Sequence, residues 1–309
     1  MINYLKLIHY RYLLLLAFMQ LIFRYGFLKL QPISLSLADW QYILLVLSTL
    51  CLAAGGSIIN AIFQQDSDSE NKPEFQVVEK LISENTAYNL YAAFTFIGVS
   101  IGFYLSNVIQ KPNFAILFIL IASTLYFYAS SMKNSLLIGN IIIAFVNSIY
   151  LIIIGLFDLL PATFDGNQAV MGIHFSILID YAVFTFILSL IIELVGDIEN
   201  CKGDKSQGLN TLPVFIGVSK AKYTVFVLSL LPIFCALYYL KIYILDAKLL
   251  YSFIYGLIFI VLPLTYFSIK LYKANDPKEF RLLYMILKGI LILAYLSIFV
   301  ISLNIRYNA

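Results

Sequence analysis

The sequence predicts an all-helical, polytopic membrane bundle of about nine transmembrane helices, with pseudo-repeated halves around a central cavity. Three observations predict it. Of 309 residues, 61% are hydrophobic and only 12% charged, and the mean hydropathy is +0.90, outside the range of a water-soluble domain of this length. The apolar residues come in continuous runs of roughly 20, the length a helix needs to cross a bilayer core. Those runs lack the ten-residue alternation of barrel strands, whereas a helix satisfies its own backbone polar groups in lipid.

Taken in order, the spans fall near residues 12–30, 41–63, 87–110, 113–131, 136–158, 171–195, 223–241, 247–269 and 283–305. Lys6 and Arg11 precede the first without a small-residue cleavage site, so it is expected to be retained and not removed as a signal peptide. The second, YILLVLSTLCLAAGG, runs into the polar stretch NAIFQQDSDSENKP, from Asn60 to Pro73. A short loop with Lys111 parts the third from the fourth, which ends in YFYASSMK. The fifth leads to the sixth, which closes on a second polar stretch, ELVGDIENCKGD, from Glu193 to Asp204. The seventh is TVFVLSLLPIFCALYYL; a basic loop joins the eighth to the ninth, which carries Lys288 inside its apolar run. Residues 1–309 are expected to form a single domain.

Orientation follows from the Lys and Arg of the short loops. With the N-terminus in the cytoplasm, thirteen lie on the inner side and six, among them Arg24, on the outer. The reading is therefore a multi-pass protein of the cytoplasmic membrane with both polar stretches facing the cytoplasm. A net charge of +3 gives no ground for nucleic acid as a partner. Cys51, Cys201 and Cys235 are scattered without metal or redox spacing, and Cys51 and Cys235 read as small apolar filler.

The two polar stretches occupy matching places, each at the cytoplasmic end of an even-numbered span. Internal repeats in membrane proteins tend to place a site between the halves. At 3.6 residues per turn Glu193, Asp197, Asn200 and Asp204 share one stripe, as do Asn60, Gln64 and Asp68 on the other helix. Like charges so aligned destabilise a helix unless something positive sits between them, and clustered oxygens suit Mg²⁺, which also bridges to phosphate. Glu193 lies deepest in an apolar run, where ionisable groups face a cavity. Lys72, Lys133, Lys202 and Lys205 lie on the same side as point charges for phosphate. The plain alternative is a solvated helix end with ordinary positive-inside lysines, and a transporter would use Asp180 and Glu193 as a pathway.

These residues resemble the UbiA-type intramembrane prenyltransferases over nearly the whole chain. GSIINAIFQQDSDSENKP is similar to that family's first motif, N-D-x-x-D-x-x-x-D followed by N-K-P. ELVGDIENCKGDKSQGLNTLPVFIG is similar to the second, and YFYASSMK to a tyrosine-to-lysine signature on the fourth span. The closest flavour is the bacterial branch similar to geranylgeranylglycerol-phosphate geranylgeranyltransferases. The resemblance implies a helical bundle with a central cavity, Mg²⁺ as cofactor, and transfer of an isoprenoid chain from a prenyl diphosphate such as geranylgeranyl diphosphate to a hydrophobic lipid or aromatic acceptor. Carried over by position, Asp68, Asp197 and Asp204 would be catalytic. Asn60, Gln64, Asp68, Asn200 and Asp204 would hold metal. Lys72, Tyr128, Lys133, Glu193, Lys202 and Lys205 would bind substrate, with aromatic faces such as Tyr126 and Tyr128 available to an allylic cation, although plain packing is the commoner role for either.

The pattern is not intact. Ala61, Gln64 and Asn200 stand where aspartates are usual, Ile192 where an arginine and Gly196 where a lysine are common, and Tyr12 where an asparagine is often found. An amide keeps an oxygen but removes the charge, and a methyl group removes the ligand. Two readings follow, a prenyltransferase with a reduced metal site, or a non-catalytic relative that binds an isoprenoid lipid or a membrane partner.

Overall fold

The computed structural model describes residues 2–64, 77–78, 80–132, 135–206 and 208–308. Among them are nine helices long and apolar enough to cross a membrane, which we label α1 (Tyr10–Leu30), α2 (Asp39–Phe63), α3 (Glu84–Val108), α4 (Pro112–Ser130), α5 (Ile138–Ala162), α6 (Gln168–Ser206), α7 (Val218–Leu245), α8 (Leu250–Lys273) and α9 (Pro277–Tyr307). The nine expected spans are all present, and no strand is found among the described residues.

The largest departure is α6. It continues eleven residues past the expected end at 195, so the whole stretch from Glu193 to Asp204 is helical. Its apolar run stops where the helix leaves the hydrocarbon, but the chain has no reason to unwind until Gly208. That residue adopts a left-handed φ of 68°, a conformation open to glycine at little cost. Its N–H donates to the Lys205 carbonyl and the Leu209 N–H to the Asp204 carbonyl at 2.9 Å, a paired closure that satisfies the last free carbonyls of the helix.

Packing follows two groups. The α2 helix packs chiefly on α3 and α4, α6 packs on α5, α7 and α9, and α1 joins them by touching α2, α5 and α9. Close approach in the first group depends on small residues, as between membrane helices generally. A Cβ on Gly98 would meet Leu52 Cδ2 at 2.9 Å and the Ser48 carbonyl at 3.0 Å, and the Ser48 hydroxyl donates to the Gly98 carbonyl at 2.6 Å. The two motif-bearing helices, α2 and α6, do not pack closely on each other.

The end of the bundle away from the motifs is held by a buried ion pair. Arg24, 1% exposed, donates to Asp158, 0% exposed, at 2.6 Å, and to the Leu37 carbonyl at 2.6 Å. Asp158 also accepts from the Leu37 N–H at 3.1 Å, and the Arg24 guanidinium lies 4.3 Å from the centre of the Tyr42 ring. Arg24 therefore ties α1, the following loop and α5 together. It was counted as an outer-loop charge, and that assignment is corrected here: it is neutralised in the interior, as a desolvated guanidinium must be. A recess of about 510 Å³ beside it is lined by Arg24, Lys29, Leu37 and Asp39 and contains none of the motif residues.

Candidate active site

The site forms at the opposite end, where α2, α4 and α6 finish and α1, α5 and α9 begin. On α6, Glu193, Gly196, Asp197 and Asn200 are half-buried, while Ile191, Ile192, Leu194, Val195 and Ile198 around them are buried. The same stripe continues deeper through Leu190 and Phe186, both half-buried between buried neighbours. Partial burial thus runs as one stripe along α6 with packed residues on either side of it, the pattern of a helix that borders a groove. This groove is polar at its mouth and apolar beyond, a shape suited to a ligand with a charged head and a hydrocarbon tail.

Three helices present tyrosines to the stripe. The hydroxyl of Tyr128 on α4 interacts electrostatically with Glu193 and Asp197, that of Tyr12 on α1 with Glu193, and that of Tyr284 on α9 with Glu193 and Glu199. Tyr12 is fixed by donating to Asn147 Oδ1 on α5 at 2.6 Å, and Asn147 Nδ2 reaches Ser189 Oγ at 3.4 Å. Asn140, one turn into α5, donates to Asp197 Oδ2 at 2.8 Å. The deepest carboxylate thus shares its electrostatic surroundings with tyrosines of three spans, and the next is aimed by an amide.

The α4 helix places α2 at the same end. Its Ala129 packs with Ile58, Ile59, Ile62 and Ala61 of α2, while the adjacent Tyr128 faces α6. On α2, Asn60 and Gln64 are half-buried and hydrogen-bond to each other, as their shared face requires. Asp68, Lys72 and Lys133 lie outside the described residues.

Other candidates are placed differently. Asp204 is on the stripe by spacing but is 6% exposed, and its Oδ2 accepts from Thr211 Oγ1 at 3.3 Å, under the loop that ends α6. Lys202 and Lys205 are exposed, and Lys202, nine residues from Glu193, stands about half a turn around the helix from it. Tyr126 turns away into an aromatic cluster, 6.1 Å from Phe63 and 6.3 Å from Tyr91, which is the packing role. Asp180 is exposed on a side of α6 about 140° from Glu193, so the two do not line one pathway. Sequence reasoning missed Asn140, Asn147 and Tyr284. The two amides recur at a seven-residue interval in an apolar run, which places them on one face and was a usable signal.

The donor set fits Mg²⁺ in one way only. Its oxygens, carboxylate and amide, suit a hard cation that keeps waters and shares phosphate oxygens. Among the described residues no group of three or more His, Cys, Asp or Glu side chains is placed to hold a metal ion, so they offer one or two carboxylates and no complete protein cage.

Comparison with known proteins agrees with this architecture. The profile described as the UbiA prenyltransferase family matches residues 14–295. A digeranylgeranylglyceryl phosphate synthase of Sulfurisphaera tokodaii is 30% identical over 192 residues, 62% of this chain and 61% of that protein; the chain thus spans about three fifths of that relative's length. A solved structure described as giving insights into digeranylgeranylglyceryl phosphate synthase in membranes superposes with a TM-score of 0.66 at 20% identity, over 97% of both chains. A UbiA homologue from Archaeoglobus fulgidus, solved with GPP and Mg²⁺, gives 0.57 at 18% identity over 97% of this chain and 99% of that one. At such identities the structural likeness establishes the fold.

Proposed function

The chain belongs to the UbiA prenyltransferase family, and from that premise we propose that it moves an isoprenoid chain from a prenyl diphosphate to a lipid acceptor with the help of Mg²⁺. The observation that carries the proposal is the α6 groove, with Glu193, Asp197 and Asn200 at its mouth and Leu190 and Phe186 behind them. The names of the relatives favour geranylgeranyl diphosphate as donor and a prenylglyceryl phosphate as acceptor.

In this reading the diphosphate sits at the mouth and the hydrocarbon runs inward over Leu190 and Phe186, where water is excluded. Asp197, aimed by Asn140, and Asn200 would hold Mg²⁺ from α6. Asn60 and Gln64 would do so from the end of α2, with Asp68, outside the described residues, and Asp204 added by the family pattern. Mg²⁺, when bound, supplies positive charge against the departing diphosphate. As the allylic C–O bond breaks, the diphosphate takes the electron pair and the carbon becomes cation-like; the acceptor hydroxyl attacks it, and its proton passes to the released diphosphate. The rings of Tyr12 and Tyr128 are assigned to stabilise such a cation, and Glu193 adds negative charge near them. Lys72, Lys133, Lys202 and Lys205 keep the assignment to phosphate that the family pattern gives them, the last two from exposed positions on other faces of α6.

The protein is integral to the membrane. The loop charges support the cytoplasmic membrane with the N-terminus and the groove mouth on the cytoplasmic side, and the family match over residues 14–295 supports a single domain over 1–309. A second reading, an isoprenoid-binding relative without turnover, is favoured by the uncharged Ala61, Gln64 and Asn200 and by the tie between Asp204 and Thr211. Pyrophosphate release by the purified protein in lipid, with geranylgeranyl diphosphate and a prenylglyceryl phosphate, separates the two. We expect Mg²⁺-dependent release that is abolished in Asp197→Asn and Asp204→Asn. Binding without release selects the second reading, and absence of both overturns each.

A further inference from the structure

We propose that Lys288 of α9 is a binding residue of this site, holding a phosphate oxyanion of the bound substrate at the groove mouth. The inference rests on the prenyl-transfer reading, which supplies a phosphorylated ligand. Lys288 lies five residues inside the apolar run of α9 that begins near 283, roughly 8 Å from its edge at 1.5 Å per residue. An ammonium at that depth is costly against lipid and belongs to a cavity or a polar partner. Its Nζ is 4.2 Å from the centre of the Tyr284 ring, one turn nearer the motif end, and long side chains on a helix lean that way.

The same ring borders the carboxylate stripe. A Cβ built on Gly196 finds only Tyr284 Cε2, at 3.8 Å, within contact range, and the Tyr284 hydroxyl interacts with Glu193 and Glu199. One aromatic side chain thus has the ammonium on its face and the α6 stripe at its edge. Gly196, between Glu193 and Asn200 on the accessible side of α6, leaves open space in front of that edge. Lysine is suited to reach into such space, being a compact charge on a flexible four-carbon stem with three donors. The α6 lysines, Lys202 and Lys205, are exposed on other faces. A cation entering from α9 would compensate for Ile192 and Gly196, where the family pattern led us to expect Arg and Lys on α6.

The phosphate could belong to the donor or to the acceptor, so the test has two arms. Binding of geranylgeranyl diphosphate and of geranylgeranylglyceryl phosphate is measured with purified full-length protein in lipid nanodiscs with Mg²⁺. We expect Lys288→Gln to weaken one of the two by about ten- to hundredfold, the loss of one charge-assisted hydrogen bond, and the arm that changes identifies the source. Lys288→Arg should stay close to the wild type, and adding Gly196→Lys to Lys288→Gln should recover binding, because the new ammonium enters the same space from α6. Unchanged binding in Lys288→Gln beside a wild type that binds overturns the inference and leaves prenyl transfer standing. So does a loss shared by Lys288→Arg and not recovered by Gly196→Lys, which marks a packing role. A wild type that binds neither ligand overturns the prenyl-transfer reading and the inference with it.

Discussion

Asp197 shows how much of this site depends on a single contact. Its Oδ2 is held by Asn140 at 2.8 Å, and a hydrogen bond to a charged group contributes about 1.5–3 kcal/mol. Asn140→Ala should therefore slow pyrophosphate release by about ten- to hundredfold with little change in the thermal unfolding midpoint. An unchanged rate would mean that the amide does not position the carboxylate. At the other end, Asp158→Ala leaves buried Arg24 with only the exposed Asp39, at 3.4 Å, as counterion, and breaking one partner of a buried pair costs about 3–5 kcal/mol. The expected outcome is a clear fall in the unfolding midpoint, largely recovered when Arg24→Met is added; no recovery would show that the remaining bonds, not the charge, are what matter. Glu193 and Asp197 were legible in the sequence because carboxylates in an apolar run are rare and costly. Asn140 was legible only in part, since its seven-residue spacing from Asn147 puts both amides on one face but does not say which carboxylate they meet, and the tie of Asp204 to Thr211 depends on a turn that spacing along a helix does not reveal.

At the scale of elements, hydropathy located all nine spans, because roughly 20 apolar residues admit few other fates. It misplaced the ends. Polar residues from 196 to 206 look like loop by composition, yet they continue α6 with carboxylates inward and lysines outward, and only the left-handed Gly208 stops the helix. Contacts between elements were not legible either, because hydropathy is blind to which small residues meet. Gly98 is such a residue, with Leu52 Cδ2 and the Ser48 carbonyl already at the limit of contact. Gly98→Leu should force α2 and α3 apart, lowering the unfolding midpoint and the yield of monodisperse protein, with α2 carrying Asn60 and Gln64 out of place. A variant as stable as the wild type would show that this helix pair has slack.

The whole molecule divides into two ends of different character, a latched end where charge is paired and buried and an open end where carboxylates, amides and hydroxyls line a groove. Which end faces the cytoplasm is set by loop charges that act during insertion, and at the end away from the groove one of the basic residues counted as outer, Arg24, is held in a buried pair. The bias was visible in sequence, but Arg24's true place was not, since its partner Asp158 is 134 residues away. Lys205 is exposed at the groove end, and Asn113 is exposed at the start of α4 at the other. In a background with Cys51, Cys201 and Cys235 replaced, single cysteines at these two sites can be labelled with a membrane-impermeant maleimide in vesicles of known sidedness. Lys205→Cys should react only from the cytoplasmic side and Asn113→Cys only from the opposite side. The reverse pattern would place the groove mouth away from the cytoplasm, and a prenyl diphosphate made in the cytoplasm could not then reach Glu193 and Asp197 without first crossing the bilayer.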